Sequence, residues 1–461
     1  MRAMEKDVSN TIQPRLTRVF RFVRCSYADG VAELAYAFDD GEELVERIRF
    51  PHAPAVPAAR ATAFDAALKL LHLVAGVSYY KAGVPPRIEL ADGPLDDATA
   101  ELLDQLYLHG LAEFAYRNGL DLRGRIAFPR VGSGTKAAGS HGGVAPALDL
   151  PKRTLVPIGG GKDSLVAVEA IKSIGDEATA VWVGNSALIA ACAERTGLPT
   201  LNIQRELAPG LFELNRLGAW NGHIPVTAVN SAILAVAAVV YGYDSIAFAN
   251  ERSASAATLE YEGQQVNHQW SKSLAFETLL GDWLHTHVAA DLDYCSLLRP
   301  YSELAITRAF AKLTPYFDVF SSCNRNFRLL GPKPVDRWCG QCPKCHFVFL
   351  ALAPFLPKPR LLAIFGRNLL DDETQAAGFD ALLEYQDHKP FECVGEGAEA
   401  RAAMYALSQR PEWQEDALVE RFRSEILTQL DVAQLALEPW LEPSPEHRVP
   451  ARLQAALAAI G

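Results

Sequence analysis

The run "TLVPIGGGKDSLV", Thr154–Val166, sets an apolar stretch, three glycines and the start of an apolar helical pattern end to end. A strand that stops in glycines and enters a helix leaves backbone N–H groups unpaired at the positive end of the helix dipole. A phosphate satisfies them. Gly159, Gly160 and Gly161 supply the backbone cradle. Lys162 adds a point charge, Asp163 caps the helix or holds a magnesium ion, and Ser164 offers a hydroxyl to a phosphate oxygen. Two common phosphate loops fail to match. A Walker loop needs glycine where Val156 stands and Ser or Thr where Asp163 stands. The dinucleotide fingerprint needs Gly or Ala at Ser164, so a nicotinamide or flavin cofactor is disfavoured. Pro157 is an oddity, because in a central strand it removes a ladder donor.

Outward from this loop, short apolar strands alternate with helical segments: "ATAVWVG", a helix around "ALIAACAERTG", "TLNI", the long apolar helix "VTAVNSAILAVAAVVYG" and "DSIAFAN". This alternation predicts an α/β fold with a doubly wound parallel sheet. Its ligands belong beyond the carboxyl ends of the strands, where the glycine turn, Gly184 and Asn250 fall. Residues 1–130 carry strand-like runs and then an apolar helix, predicting an α+β unit with no recognisable chemistry of its own. A Gly- and Pro-rich linker over 131–153 follows, then the α/β domain over 154–350 and a helical region over 351–461.

Composition narrows the function. With 49% hydrophobic and 21% charged residues, the chain has the composition of a soluble globular protein. Its 55 Asp and Glu against 44 Lys and Arg speak against a global grip on nucleic acid or an anionic membrane. No signal-like leader or membrane-spanning run is read, and the expected location is cytoplasmic.

"CNRNFRLLGPKPVDRWCGQCPKC" brings Cys323, Cys339, Cys342 and Cys345 to a spacing that suits a tetrahedral metal. Zinc is the expected ion, in a structural role because four thiolates leave no open position, with His346 as a spare ligand. Cys25, Cys192, Cys295 and Cys393 are isolated and read as small buried hydrophobes. "FANERSAS" places Asn250, Glu251 and Arg252 after a strand. "NHQWSKSLAFE" carries His268 and Lys272, and "GHIP" carries His223. Polar groups clustered at strand ends favour function over a plain surface role. Arg325 and Arg337 form a basic patch near the thiolates.

Gly159-Gly160-Gly161-Lys162-Asp163-Ser164 resembles the S-G-G-x-D-S signature of the PP-loop ATP pyrophosphatases, with Gly159 replacing the first serine. That resemblance implies cleavage of ATP between its α and β phosphates, giving an adenylylated substrate and pyrophosphate. With "PIGGGKDS", "GHIPVTAVNS", "FANERSAS", "NHQWSKS" and "RWCGQCPKC" in this order, the chain resembles the MurL family, the UDP-N-acetyl-α-D-muramoyl-L-alanyl-L-glutamate epimerases. The resemblance implies ATP and Mg2+ as cosubstrate and cofactor. The implied substrate is the UDP-linked muramoyl dipeptide, whose terminal L-glutamate is inverted through an acyl adenylate for peptidoglycan precursor synthesis. It also implies acid–base roles among His268, His223, Lys272 and Glu251, and contacts from Asn250, Arg252, Arg325 and Arg337 to substrate. The alternative is a PP-loop amide or nitrile synthase, or a nucleobase-modifying enzyme, using the same adenylate.

Overall fold

The computed structural model describes residues 13–131, 143–327, 333–385 and 389–461; of the expected linker, 132–142 lies outside these. The strands are β1 (Val19–Ala28), β2 (Val31–Phe38), β3 (Leu44–Arg49), β4 (Arg87–Leu90), β5 (Arg153–Pro157), β6 (Glu177–Val183), β7 (Thr200–Glu206), β8 (Ser245–Phe248), β9 (Leu259–Tyr261), β10 (Gln264–Val266) and β11 (Asp293–Ser296). Among the described residues, nine of them form one sheet in the order β11-β8-β5-β6-β7-β3-β2-β1-β4, and β9 and β10 make a separate hairpin.

The sheet is mixed, where a parallel one was expected. β11, β8, β5, β6 and β7 run parallel to one another. β3 then joins β7 antiparallel, and the β1–β2–β3 meander continues the sheet. Strands from 1–130 and from 154–350 therefore share one ladder. The periodicity of each segment reports its own faces, and nothing in it reports which edge a distant meander will cover.

Strand alternation sorts side chains into two cores. Leu155, Val181 and Ile246 face one core, shared with the meander and with helices 61–75 and 226–241. Their neighbours Val156, Ala180 and Ala247 face the other, shared with helix Lys162–Ser173 and the C-terminal helices. This is the period of two expected of a strand buried on both sides. Helix Val226–Tyr241 is buried nearly all round and ends at Gly242, whose φ of +79° closes it in the left-handed region. Helical residues Ala58–Tyr80 are apolar and long enough to cross a bilayer, but 72% of that window is buried within the protein, as befits a core helix.

Pro157 proves harmless because it is the last residue of β5. Ile158 N–H resumes the ladder by donating to Val181 O at 2.8 Å. The strand order reverses at β5, with β6 and β7 on one side and β8 and β11 on the other. At such a reversal the connecting helices leave on opposite faces, and a crevice opens at the carboxyl ends of the strands. The glycine turn after β5 and Asn250–Glu251 after β8 lie there.

Candidate functional site

The glycine turn is held open by its own backbone. Gly160 has φ +78°, and its carbonyl accepts from Ser321 N–H at 2.9 Å. Gly161 precedes helix Lys162–Ser173 with no side chain capping it. A methyl group on Gly161 would stand 2.7 Å from Ser322 Oγ, so that hydroxyl would have to rotate away. Ser164 Oγ accepts from Gly159 N–H at 3.3 Å and donates to Gly161 O at 3.1 Å, closing the turn. An uncapped helix start behind a bend without side chains is the donor set an anionic oxygen needs.

Lys162 occupies a different place from a solvent-facing phosphate ligand. It is 1% exposed and pairs with both Asp163 and Glu303. Glu303 opens helix Glu303–Phe310 beyond β11, and neither its position nor its burial is visible in local sequence. Burial opposes the charge on Lys162, but its two carboxylate partners outweigh this and hold the amine above its ordinary range. Burial likewise opposes ionisation of Asp163, and Lys162 and Lys344 prevail and keep its carboxyl below the usual range. Glu303 moves upward because burial dominates its lysine contact. Behind it, burial and the charge of Glu303 push Glu399 up to about 7.

A second cluster adjoins this one through Lys272, whose charge interacts with Asp163, Glu251 and Cys393. Lys272 Nζ donates to Cys393 Sγ at 3.1 Å, and the charge of His268 acts on the same sulfur. His268 Nδ1 in turn meets Glu113 Oε2, and His223 Nδ1 lies 3.7 Å from that oxygen. The histidine rings stand side by side, centroids 4.3 Å apart. Burial disfavours the cation on both. On His268 the bond to Glu113 and the charge of Cys393 win and raise it to about 9, whereas burial and the neighbouring His268 cation hold His223 down to about 4. Cys393 is driven the other way: burial would raise it, but Lys272, His268 and Lys344 bring it to about 5.

Arg299 fixes the two polar loops. Its guanidinium pairs with buried Glu277 at 3.0 Å, donates to Glu251 O at 2.6 Å, and reaches the carbonyl of Lys272. Glu251 itself is buried and accepts from Ala254 N–H at 2.7 Å, while Asn250 Nδ2 donates to Ser296 Oγ at 2.9 Å. Gly184, with φ +102°, ends β6 beside the turn.

The arginines divide. Arg325 bonds Gln341 at 3.0 Å and, with Lys333 and Cys339, lines an open depression of about 500 Å³. Arg252 lies 5.9 Å over the Trp440 ring. Arg337 is committed to backbone, donating to Phe317 O at 2.9 Å and Phe320 O at 3.0 Å.

Cys323, Cys339, Cys342 and Cys345 converge with all four sulfurs within 4.8 Å of one another. Sulfurs about 2.3 Å from a tetrahedral zinc are separated by about 3.8 Å. Cys342–Cys345 at 3.5 Å, Cys339–Cys345 at 3.8 Å and Cys342–Cys323 at 4.0 Å fit that edge and are far too long for a disulfide. His346 stands apart from the set: its Nε2 bonds Gln375 at 2.8 Å and its ring stacks on Phe379.

Two expectations need correction. Residues 1–130 do contribute to the ionisable cluster, since Glu113 on helix Ala112–Asn118 joins both histidines. Cys393 is no core hydrophobe; Cys192 and Cys295 are fully buried, but Cys393 is partly open and bonded to Lys272. Glu113, Glu303 and Cys393 were missed as site residues because each is alone in its segment, and Lys344 because it sits inside the C-x-x-C stretch, whose spacing points to a metal rather than to its lysine. A cysteine outside the metal spacing was the one signal available.

Family models agree with this architecture. A MurL N-terminal domain model matches residues 11–297 and a MurL C-terminal domain model matches 319–436. A UDP-N-acetyl-alpha-D-muramoyl-L-alanyl-L-glutamate epimerase of Xanthomonas oryzae pv. oryzae is 60% identical over 94% of this chain and 95% of its own length. Proteins of the same name from a Micromonospora species and from Salinispora tropica are 41% and 42% identical, covering 96% and 86% of this chain and 99% and 85% of their own lengths. Since the two models together span the glycine turn, the ionisable cluster and the four thiols, the chain belongs to the MurL family.

Proposed function

We propose that this chain inverts the terminal L-glutamate of UDP-N-acetylmuramoyl-L-alanyl-L-glutamate through an acyl adenylate, as a cytoplasmic step of peptidoglycan precursor synthesis. The observation that carries the reading is Lys272, which lies within electrostatic reach of Asp163 in the glycine turn and bonds directly into the acid–base cluster. Nucleotide chemistry and proton chemistry thus share one crevice. The sheet's reversal at β5 supports a nucleotide there, in the manner of PP-loop ATP pyrophosphatases.

The chemistry needs both halves. An ionised α-carboxylate resists loss of the α-hydrogen, because deprotonation would place a second negative charge on the same group. Adenylylation removes that charge: the carboxylate oxygen attacks the α-phosphorus of ATP, the α–β bridge breaks, and pyrophosphate leaves. In this scheme the Gly159–Gly161 backbone and Ser164 hold the departing phosphates. Asp163 is the residue that would hold Mg2+, an ion that neutralises phosphate charge when bound. A base then takes the α-proton, the electron pair delocalises into the acyl group, and an acid returns a proton to the opposite face. Water finally releases AMP and the D-glutamyl product. Among the candidate proton carriers His223, His268, Lys272 and Glu251, the first two share Glu113. Asn250, Arg252 and Arg325 are the proposed substrate contacts; Arg337, whose Nη1 is given to Phe317 O and Phe320 O, would reach substrate only through its remaining N–H groups. The four thiolates would hold zinc as a structural clamp, with no part in the proton steps.

The deciding experiment is incubation with ATP, Mg2+ and the L-Ala-L-Glu nucleotide in deuterated water. The expected products are AMP, pyrophosphate and a glutamate deuterated at its α-carbon. AMP without α-deuterium would point to a synthase, and no pyrophosphate at all would remove the adenylate.

A further inference from the structure

We propose that Cys393 is the proton-transferring group on one face of the glutamyl α-carbon, with Lys272 and the His268–Glu113 pair holding its sulfur as a thiolate. The proposal rests on the adenylate reading above and assigns a residue that reading leaves open.

Inversion requires groups on opposite faces of one carbon, and each must come within hydrogen-bond reach, about 3 Å, of the proton it moves. Two such groups therefore stand roughly 6 Å apart. His223 and His268, with ring centroids 4.3 Å apart, leave no room for a carbon between them. Lys272 and Cys393, at 3.1 Å, leave none either. Lys272 and Cys393 are thus one group acting from one side, with His268 coupled to it through its charge.

Within that group only the sulfur is suited to accept a proton. Lys272 faces Cys393, Glu251 and Asp163, all of which favour its ammonium form. His268 is bonded to Glu113, which together with the nearby charge of Cys393 favours the imidazolium. Two cations flanking a thiol favour the thiolate, and a thiolate retains a lone pair for a proton.

Position agrees. Cys393 lies in an irregular segment ahead of helix Gly397–Ser408, and its carbonyl accepts from Lys344 on helix Pro343–Leu352, which also carries Cys345. Its neighbour Glu392 is tied to Asn324. The sulfur is thereby fixed from two elements while remaining partly open. Beside it, Lys272 provides a positive charge where the acyl oxygen gains negative charge in the transition state.

In the L-to-D direction or its reverse, the C–H bond breaks, an S–H bond forms, and the electron pair moves into the acyl adenylate as an enolate. A second acid protonates the far face. The Cys393 thiol then loses its proton to solvent, and no electron changes owner.

The test uses the full-length chain with Cys393→Ala and the nearly isosteric Cys393→Ser, each given ATP, Mg2+ and either the L- or the D-glutamyl nucleotide in deuterated water. Pyrophosphate release should persist. Net epimerisation should fall about 10²–10⁴-fold, the usual worth of one acid–base group. Deuterium incorporation should fail when one epimer is the substrate and persist with the other, an asymmetry that a merely structural cysteine would not produce. The proposal is overturned by equal exchange into both epimers, by loss of pyrophosphate release along with exchange in both folded variants, or by a covalent thioester on Cys393 in acid-quenched wild-type enzyme. If the wild type releases no pyrophosphate, the adenylate reading fails first, and the two failures are distinct.

Discussion

At the scale of single residues, opposed environments set the charge states of the site. Cys393, held down at about 5, is a thiolate above that pH, and His268, held up at about 9, stays protonated below it. Lys272, Lys344, Glu113 and Glu392 are the other charged groups around them. Lys272 is raised above its ordinary range and keeps its charge throughout. Thiolate and imidazolium therefore coexist only between the two values. α-Deuterium exchange should rise through about pH 5 and fall through about pH 9, read as kcat/KM across that range; a flat profile would contradict the assignment. His268→Asn should move the acid limb upward, because the thiolate loses a cation. Lys162 yields a different prediction. Removing it strands Glu303 in the interior and takes the cation from partly exposed Asp163, so Lys162→Ala should cost about 3–5 kcal/mol in a denaturant melt. A lysine whose only task was to touch phosphate at the surface would cost under about 1 kcal/mol.

At the scale of elements, the turn between β5 and its helix separates folding from binding, since its glycines have different reasons for being glycine. Gly160 sits at φ +78°, where an added Cβ would also lie 3.4 Å from Ile189. Gly160→Ala should destabilise by about 1–2 kcal/mol, seen as a lower Tm. Gly159 has nothing within 4 Å of a would-be Cβ. Gly159→Ala should leave stability within about 0.5 kcal/mol while weakening nucleotide binding, measurable by calorimetry with a non-hydrolysable ATP analogue. Equal effects from both substitutions would mean the turn has no ligand. The four-thiol clamp is testable here too. It ties the stretch after Phe320 to helix Pro343–Leu352, whose Lys344 seats Cys393. Stripping a bound metal with a chelator should lower Tm and slow exchange together, and one equivalent of Zn2+ should restore both.

At the scale of the whole molecule, the β3–β7 seam makes the meander and the parallel strands one sheet, and a buried ion pair crosses it. Glu46, fully buried, receives Arg205 Nε at 2.7 Å, and Arg205 also reaches Ser78 at 2.9 Å. Glu46→Ala leaves a guanidinium without its carboxylate and should cost about 3–5 kcal/mol, as a single cooperative shift in urea. Two separate transitions would mean that the meander folds independently. This seam also explains how Glu113, from the N-terminal half, comes to serve histidines more than a hundred residues away.

The amino-acid sequence by itself determined the parts whose information is local. The glycine bend after an apolar strand, the strand–helix alternation from Thr154 and the C-x-x-C spacing each follow from neighbours a few residues apart, where periodicity and backbone freedom act directly. Only the tertiary structure decided that the meander extends the sheet, that Lys162 is buried against Glu303, that Cys393 meets Lys272, and that Glu113 meets His268. Those facts depend on pairings across more than a hundred residues. Burial and charge there are properties of the assembled crevice, and no single segment contains the atoms that set them.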